Sequence, residues 1–235
     1  MTSRPRSIVV LTGAGISAES GIETFRAAEG LWANHHVEDV ATPGGFAKNP
    51  QLVYEFYNQR RRQLLSSEIS PNTAHSALAK FEHEFDGKFL LVTQNVDNLH
   101  ERAGSQNLIH MHGELLKMRC LNSRLVFDVG TDFDYDTHCR CCGSAGNLRP
   151  HVVWFGEMPL QMNRINTALE NCDMFVSIGT SGNVYPASEF YQTAKIRKAS
   201  TVELNLERTG SSFDQHVCGP ATESVPQFFE SLLRS

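Results

Sequence analysis

The sequence predicts an α/β fold, a mostly parallel sheet covered by helices with a smaller second lobe, on three observations. Five short apolar runs of strand length are separated by stretches with helical spacing, the pattern of alternating strands and helices. Each run gives way within two residues to glycine or a side-chain amide. Two further stretches, 31–72 and 117–148, break the alternation, the first helical and the second rich in cysteine, glycine and aspartate.

The first run, Ile8 to Leu11, leads into Gly13-Ala14-Gly15-Ile16-Ser17-Ala18. This is the G-x-G-x-x-G/A spacing, in which glycines allow a tight turn and a close approach of backbone N–H groups to a pyrophosphate, and it makes the sheet Rossmann-like. The second run, Phe89 to Val92, leads into Gln94-Asn95-Val96-Asp97, and the third, Val152 to Phe155, into Gly156-Glu157. The fourth, Met174 to Ile178, meets Gly179-Thr180-Ser181, and the fifth, Thr201 to Leu204, meets Asn205-Leu206-Glu207. Ligands of open α/β sheets sit beyond the carboxyl ends of strands, so these ends are expected to converge on one crevice. The whole chain reads as a single catalytic domain. A large lobe is expected from 1–30, 73–116 and 149–235, and a small lobe from a helical insert, 31–72, and the cysteine-rich module, 117–148.

With 235 residues, 40% hydrophobic and 20% charged, the chain can bury a substantial core. A net charge of −5 gives no overall attraction to nucleic acid or acidic membranes. Arg4 and Arg6 precede only four apolar residues, too few for a signal peptide, and no apolar run is long enough to span a bilayer. A cytoplasmic monomer is expected.

The glycine turn lacks its usual sequel, an acid about twenty residues on at the end of a second strand. Glu207 is the best substitute for holding a ribose. Asn95 and Asp97 at a strand end can hold a carboxamide and a ribose hydroxyl. His112, followed by glycine and placed between candidate ligand loops, titrates in the range of a general base. His75, His83 and His216 are read as structural.

The stretches GAGISAESGIETFR, TQNVDNLH, HMHGE, VVWFGE, GTSGNVYP and ELNLE stand in the order and approximate spacing of the sirtuins, NAD-dependent protein lysine deacylases. The chain resembles a short bacterial member over nearly its whole length. The resemblance implies that NAD is consumed, with no hydride moved. A substrate acyl oxygen attacks the ribose carbon that bears nicotinamide, giving an alkylimidate and finally nicotinamide, O-acyl-ADP-ribose and free lysine. It implies His112 as the base, Asn95 positioning ribose and water, and Asp97 gripping the nicotinamide carboxamide. Gly13, Ala14, Gly15, Ile16, Ser17, Glu19, Trp32 and Gln94 fall to the cofactor on the same ground. Thr24, Phe25 and Arg26 match a loop that covers it and excludes water. Gly179, Thr180, Ser181, Asn205, Leu206, Glu207 and Ala221 match the adenosine side. Val153, Phe155, Gly156, Glu157 and Val184 match the segments that hold an extended substrate peptide, whose main chain carries the affinity. Two rivals are an NAD-dependent ADP-ribosyltransferase and a catalytically silent NAD- or zinc-dependent interaction module.

Four of the six cysteines crowd between Cys120 and Cys142, which suits a structural zinc in a reducing compartment. Cys120-x₂-Ser123, fifteen residues, then Cys139-x₂-Cys142 leaves a serine where a thiolate is expected. Cys141 or His138 is the candidate fourth ligand beside Cys120, Cys139 and Cys142. Cys172 and Cys218 read as packing residues.

On the helix after Pro50, the spacing puts Val53, Phe56, Tyr57 and Leu64 on one apolar face with Arg60 in its middle, while Arg61 and Arg62 point progressively outward. Tyr-x-x-Arg at this place resembles the sirtuins that accept acidic acyl groups. The expected activity is therefore removal of both acetyl and succinyl groups, with Tyr57 and Arg60 reading the succinyl carboxylate.

Overall fold

The computed structural model describes residues 5–23, 31, 32 and 35–234. Strand β1 (Ser7–Thr12) leads through a glycine turn into a single helical turn, α1 (Gly15–Ala18). A short pair of strands, β2 (Leu31–Trp32) and β3 (His35–His36), precedes the helices α2 (Val37–Val40), α3 (Pro43–Lys48) and α4 (Pro50–Leu64). There follow α5 (Thr73–Glu84), β4 (Lys88–Thr93), α6 (Leu99–Ala103), β5 (Leu108–His110), β6 (Gly113–Cys120), β7 (Val126–Asp128) and β8 (Leu148–Val152). The chain closes with α7 (Met162–Glu170), β9 (Met174–Ile178), α8 (Phe190–Ile196), β10 (Ser200–Asn205), β11 (Gln215–Cys218) and α9 (Ala221–Arg234).

Local chemistry sets the helix starts. Thr42 and Asn49 accept the Gly45 and Leu52 N–H groups at 2.9 and 3.2 Å, and each is followed by a proline whose missing N–H costs nothing at a first helical position. Asn72 caps α5, and the His75 side chain returns a bond to the cap backbone.

Six strands form a sheet of order β11-β10-β9-β1-β4-β5 with every pairing parallel. Its middle strands are buried on both faces, which is why they read as unbroken apolar runs. Ile8, Val10, Leu91 and Val202 pack under Leu78, Phe81 and Phe229 of α5 and α9, while Val9, Leu11, Val92 and Phe175 pack against Ile165, Leu169 and Phe190 of α7 and α8. Chain order reverses between β1 and β9, and the crevice of such a sheet opens at that reversal. A second sheet, β7-β6-β8, is antiparallel. The helical insert packs over β6 and β8 through Val53, Phe56, Tyr57, Leu115, Val152 and Trp154.

Three sequence expectations need correction. The third apolar run is not a strand of the main sheet: β8 ends at Val152 and pairs antiparallel with β6, because Arg149 and Pro150 belong to the strand and Val153 to Phe155 lie beyond it. The Val153 N–H bonds the His112 carbonyl at 2.8 Å and the Phe155 N–H the Ala41 carbonyl at 2.9 Å, so the run bridges two elements. Second, the short edge strands β5 and β11 went unread. Third, Arg61 does not point outward: it is 1% exposed, held by the Leu115 carbonyl at 3.1 Å and Asn58 Oδ1 at 2.6 Å. Helix α4 is covered on two sides, and the residues around Phe133 form the second cover. Strands β6 and β8 also run across positions 116 and 148, where the sequence divides its lobes.

Candidate active site

The exits of β1, β4, β9 and β10 meet at one cleft of about 420 Å³, together with residues 152–157. Two glycine turns form its floor. The Gly13 and Gly15 N–H groups bond the Ile178 and Gly179 carbonyls at 3.0 and 2.9 Å. A Cβ on Gly15 would lie 2.7 Å from the Gly179 Cα, and one on Gly179, whose φ is +61°, would lie 2.5 Å from the Ile16 nitrogen. These glycines therefore let two strand exits touch, which brings Gly13, Ala14 and Gly15 beside Gly179, Thr180 and Ser181 in the cleft wall. Asn205 joins them, its Nδ2 donating to the Thr180 carbonyl at 2.8 Å.

The exit of β4 carries the polar centre. Asn95 Nδ2 donates to the Gly13 carbonyl and to Ser17 Oγ, both at 3.1 Å, and Ser17 Oγ donates to Asp97 Oδ2 at 3.0 Å. Asp97 Oδ1 accepts the Leu99 N–H at 3.1 Å. Burial raises the Asp97 carboxyl above its ordinary range. Behind this trio His75 Nε2 lies 3.4 Å from Ser17 Oγ, and the His75 and His100 rings meet at 4.9 Å. Burial lowers His75 to about 4 and holds His100 well below its ordinary value, so both are neutral props. The structural reading of His75 stands, but its contact with Ser17 carried no signal in sequence. His216 pairs with buried Glu203 at 2.7 Å and His83 is exposed.

His112 Nδ1 lies 3.1 Å from the Gln94 carbonyl. A carbonyl only accepts, so Nδ1 carries the hydrogen and Nε2 keeps a lone pair. Burial lowers its pKa, which favours that neutral tautomer.

Trp32, Tyr57, Arg60, Val153, Phe155, Gly156, Glu157 and Val184 line the same cleft. Trp154 Nε1 donates to Tyr57 Oη at 2.9 Å, and burial pushes the phenol up, so Tyr57 stays protonated with its own hydrogen to give. Arg60 is half-buried. Among the described residues its Nε and Nη1 make no hydrogen bond, and its ion pair with Glu23 is long, at 3.8 Å. Glu23 and Gln63 also line the cleft and were missed in the sequence, where nothing marks them. Glu157 is largely spoken for: its carboxylate takes Arg149 and Arg119 at 2.7 and 3.1 Å and the Trp154 N–H at 2.9 Å.

Not every expected residue reaches the cleft. Ile16 and Ser17 are buried behind it, and Glu19 instead bonds Thr222 N and Oγ1 at 3.1 and 2.6 Å. Leu206 and Glu207 are exposed beyond β10, and Ala221 begins α9 outside the lining. Thr24, Phe25 and Arg26 lie outside the described residues.

Away from the cleft, the thiols of Cys120, Cys139, Cys141 and Cys142 lie within 4.8 Å of one another. Cys141 thus stands where a fourth ligand would be needed and residue 123 offers no thiol, and His138 is not part of the cluster. Ser123 Oγ sits 3.1 Å from Cys141 Sγ and its N–H 3.5 Å from Cys120 Sγ. The Ser123 N–H lowers the Cys120 thiol to about 6, toward the thiolate a zinc ligand must be. At Cys141 the Ser123 hydroxyl lowers the thiol, but the neighbouring Cys139 thiol and burial outweigh it and raise Cys141 to about 11 so long as no metal holds the cluster. Four sulfurs at this spacing fit a tetrahedral zinc, which would tie the turn after β6 to the turn before β8. Metal analysis of protein purified without chelator is expected to find about one zinc per chain. Cys141→Ser should lose it and His138→Ala should keep it; full zinc in Cys141→Ser would exclude Cys141 as a ligand.

The Sir2 family profile matches residues 13–186. A Pasteurella multocida protein named NAD-dependent protein deacylase is 60% identical, the alignment covering 99% of this chain and all of that one. One of the same name from Salmonella typhimurium is 58% identical, covering 100% of this chain and 86% of its own. A solved Sir2 homologue bound to NAD superposes with a TM-score of 0.88 at 38% identity, over 98% of this chain and 90% of that one. A mutant homologue bound to 2′-O-acetyl ADP-ribose gives 0.87 at 38%, over 98% and 93%. A Sir2 protein bound to a myristoylated histone peptide gives 0.75 at 32%, over 98% and 92%.

Proposed function

The chain belongs to the Sir2 family, and from that premise we propose that it is an NAD-dependent protein lysine deacylase that removes acetyl and succinyl groups. The observation that carries the reading is His112: its Nδ1–H is tied to the Gln94 carbonyl and its free Nε2 belongs to the same cleft as Asn95, Asp97 and the two glycine turns. The relatives' shared name and the nucleotide complexes of the similar structures point the same way.

NAD supplies an activated ribose carbon, released from nicotinamide and captured by the acyl oxygen. His112 Nε2, neutral and oriented, takes a proton from a ribose hydroxyl. Asn95, with both amide hydrogens committed to Gly13 and Ser17, keeps its carbonyl oxygen for ribose or water. Asp97, fixed between Leu99 and Ser17, meets the carboxamide. Fixed dipoles of this kind stabilise developing charge without reorganisation. Acyl-lysine enters as an extended peptide between the segments around Phe155 and Val184. The two-lobe division belongs to the same reading, with the cleft between the lobes. Among the described residues no helix is long and apolar enough to cross a membrane.

Arg60 supports the acidic acyl group. A guanidinium lining the cleft, two of whose buried nitrogens make no hydrogen bond among the described residues, together with a phenol that still has a hydrogen to donate, suits a carboxylate. Arg60→Met should cut kcat/KM on a succinyl peptide by roughly 10- to 100-fold, the worth of one charged hydrogen bond, and change the acetyl peptide far less. Equal losses on matched acetyl and succinyl peptides would show that Arg60 serves the fold.

A further inference from the structure

The two histidines of His110-Met111-His112 grip consecutive carbonyls. Strand β5 ends at His110 and the chain turns at Met111, which is sunk in the core, while the rings of His110 and His112 both reach the chain at the exit of β4. His112 Nδ1 holds the Gln94 carbonyl at 3.1 Å, and His110 Nδ1 holds the Asn95 carbonyl at 3.2 Å. Among the described residues only His110 has a second anchor, Nε2 to Glu101 Oε1 of α6 at 2.6 Å.

We propose that His110, clamped by Glu101, is a positioning residue for the reaction: it fixes the Asn95 carbonyl, and with it the peptide that carries Asn95 and Asp97 into the cleft. The inference rests on the deacylase reading above. Other bonds hold the Asn95 N–H to Thr93 Oγ1 at 3.0 Å, the side chain to Gly13 and Ser17, and the Val96 carbonyl to the Leu115 N–H at 2.8 Å, but among the described residues His110 alone holds the Asn95 carbonyl. Small misplacements of reacting groups are costly to rate even when the fold survives.

Both ring nitrogens face acceptors, so both contacts are satisfied together only by the imidazolium. Burial opposes its charge, but Glu101 and then Glu114 outweigh that and raise its pKa. Asp97 and His100 are the other titratable groups within its field, and Lys117 sits on Glu114 at 2.8 Å. Losing the proton forces the ring to give up one bond or the other, so kcat should fall as pH rises through the pKa of His110.

Two amide variants separate the bonds. In His110→Asn the amide nitrogen stands where Nδ1 was and can still donate to the Asn95 carbonyl. In His110→Gln it stands where Nε2 was and reaches only Glu101. At saturating NAD and acetyl peptide, His110→Gln is expected to lose about tenfold in kcat with little change in melting temperature, and His110→Asn to stay within about threefold of wild type and lose the alkaline decline. Equal kcat in the two variants, at any level, overturns the proposal. Should the wild-type chain not turn over acyl peptides, the deacylase reading fails instead. Amide hydrogen exchange across 94–97 then decides the positioning role: faster exchange in His110→Gln than in His110→Asn supports it, and equal exchange overturns it.

Discussion

With His112 replaced by alanine, the chain is expected to remain folded and lose roughly 10²- to 10⁴-fold in kcat, the range of a positioned general base. The side chain is partly exposed, its one hydrogen bond among the described residues is to the Gln94 carbonyl, and it adds little to the core. Its removal therefore takes away the lone pair that faces the cleft and leaves most of the packing in place. NAD affinity should change little, because the glycine turns, Asn95 and Asn205 remain. Turnover assays with circular dichroism and NAD titration check this, and near-normal kcat in a folded variant would remove His112 from the chemistry.

The second large effect concerns stability, not turnover. Arg61→Met is expected to destabilise the protein by about 2–4 kcal/mol, since it strips hydrogen bonds to a charged donor from buried acceptors. Arg61 Nε donates to the Leu115 carbonyl at 3.1 Å, and Nη1 to Asn58 Oδ1 and the Thr131 carbonyl at 2.6 and 3.4 Å, with the guanidinium 4.9 Å from the Phe133 ring centroid. One side chain thus joins α4, β6 and the 131–133 segment. Burial lowers its pKa to about 10, still far above neutrality, so the cation persists. Its Nη2 has no partner among the described residues, which limits the gain. Arg62, exposed and paired with Asp132 at 3.1 Å, is the control: Arg62→Met should cost less than about 1 kcal/mol. Denaturant titration of both variants is the measurement, and equal losses would contradict the assignment.

That arginine also shows where sequence reasoning stops. A helical wheel orders residues by angle and finds the face with Val53, Phe56 and Tyr57, but it cannot see that Phe133, distant in sequence, covers the other side. The strands β1, β4, β9 and β10 were legible because a parallel sheet buried on both faces demands unbroken apolar runs. Strand β8 was not, because Arg149 and Pro150 disguise it, and β5 and β11 are too short to show a period. In the site, Asn95 and Asp97 stand out as strand-end polar residues and His112 as a histidine before a glycine between candidate ligand loops, and all three line one cleft. Glu207 lies exposed beyond the end of β10 at Asn205 and does not line the cleft. The sequence leaves the fourth ligand open between Cys141 and His138 because spacing along a chain does not say which side chain turns inward.

The central claim is that this chain couples NAD consumption to deacylation. Mass spectrometry of wild-type protein incubated with NAD and an acyl-lysine peptide tests it most directly. The expected result is loss of the acyl mass from the peptide, with nicotinamide and O-acyl-ADP-ribose formed in equal amounts. A peptide that gains the mass of ADP-ribose, or one that stays unchanged while His112 and the zinc are intact, would contradict it.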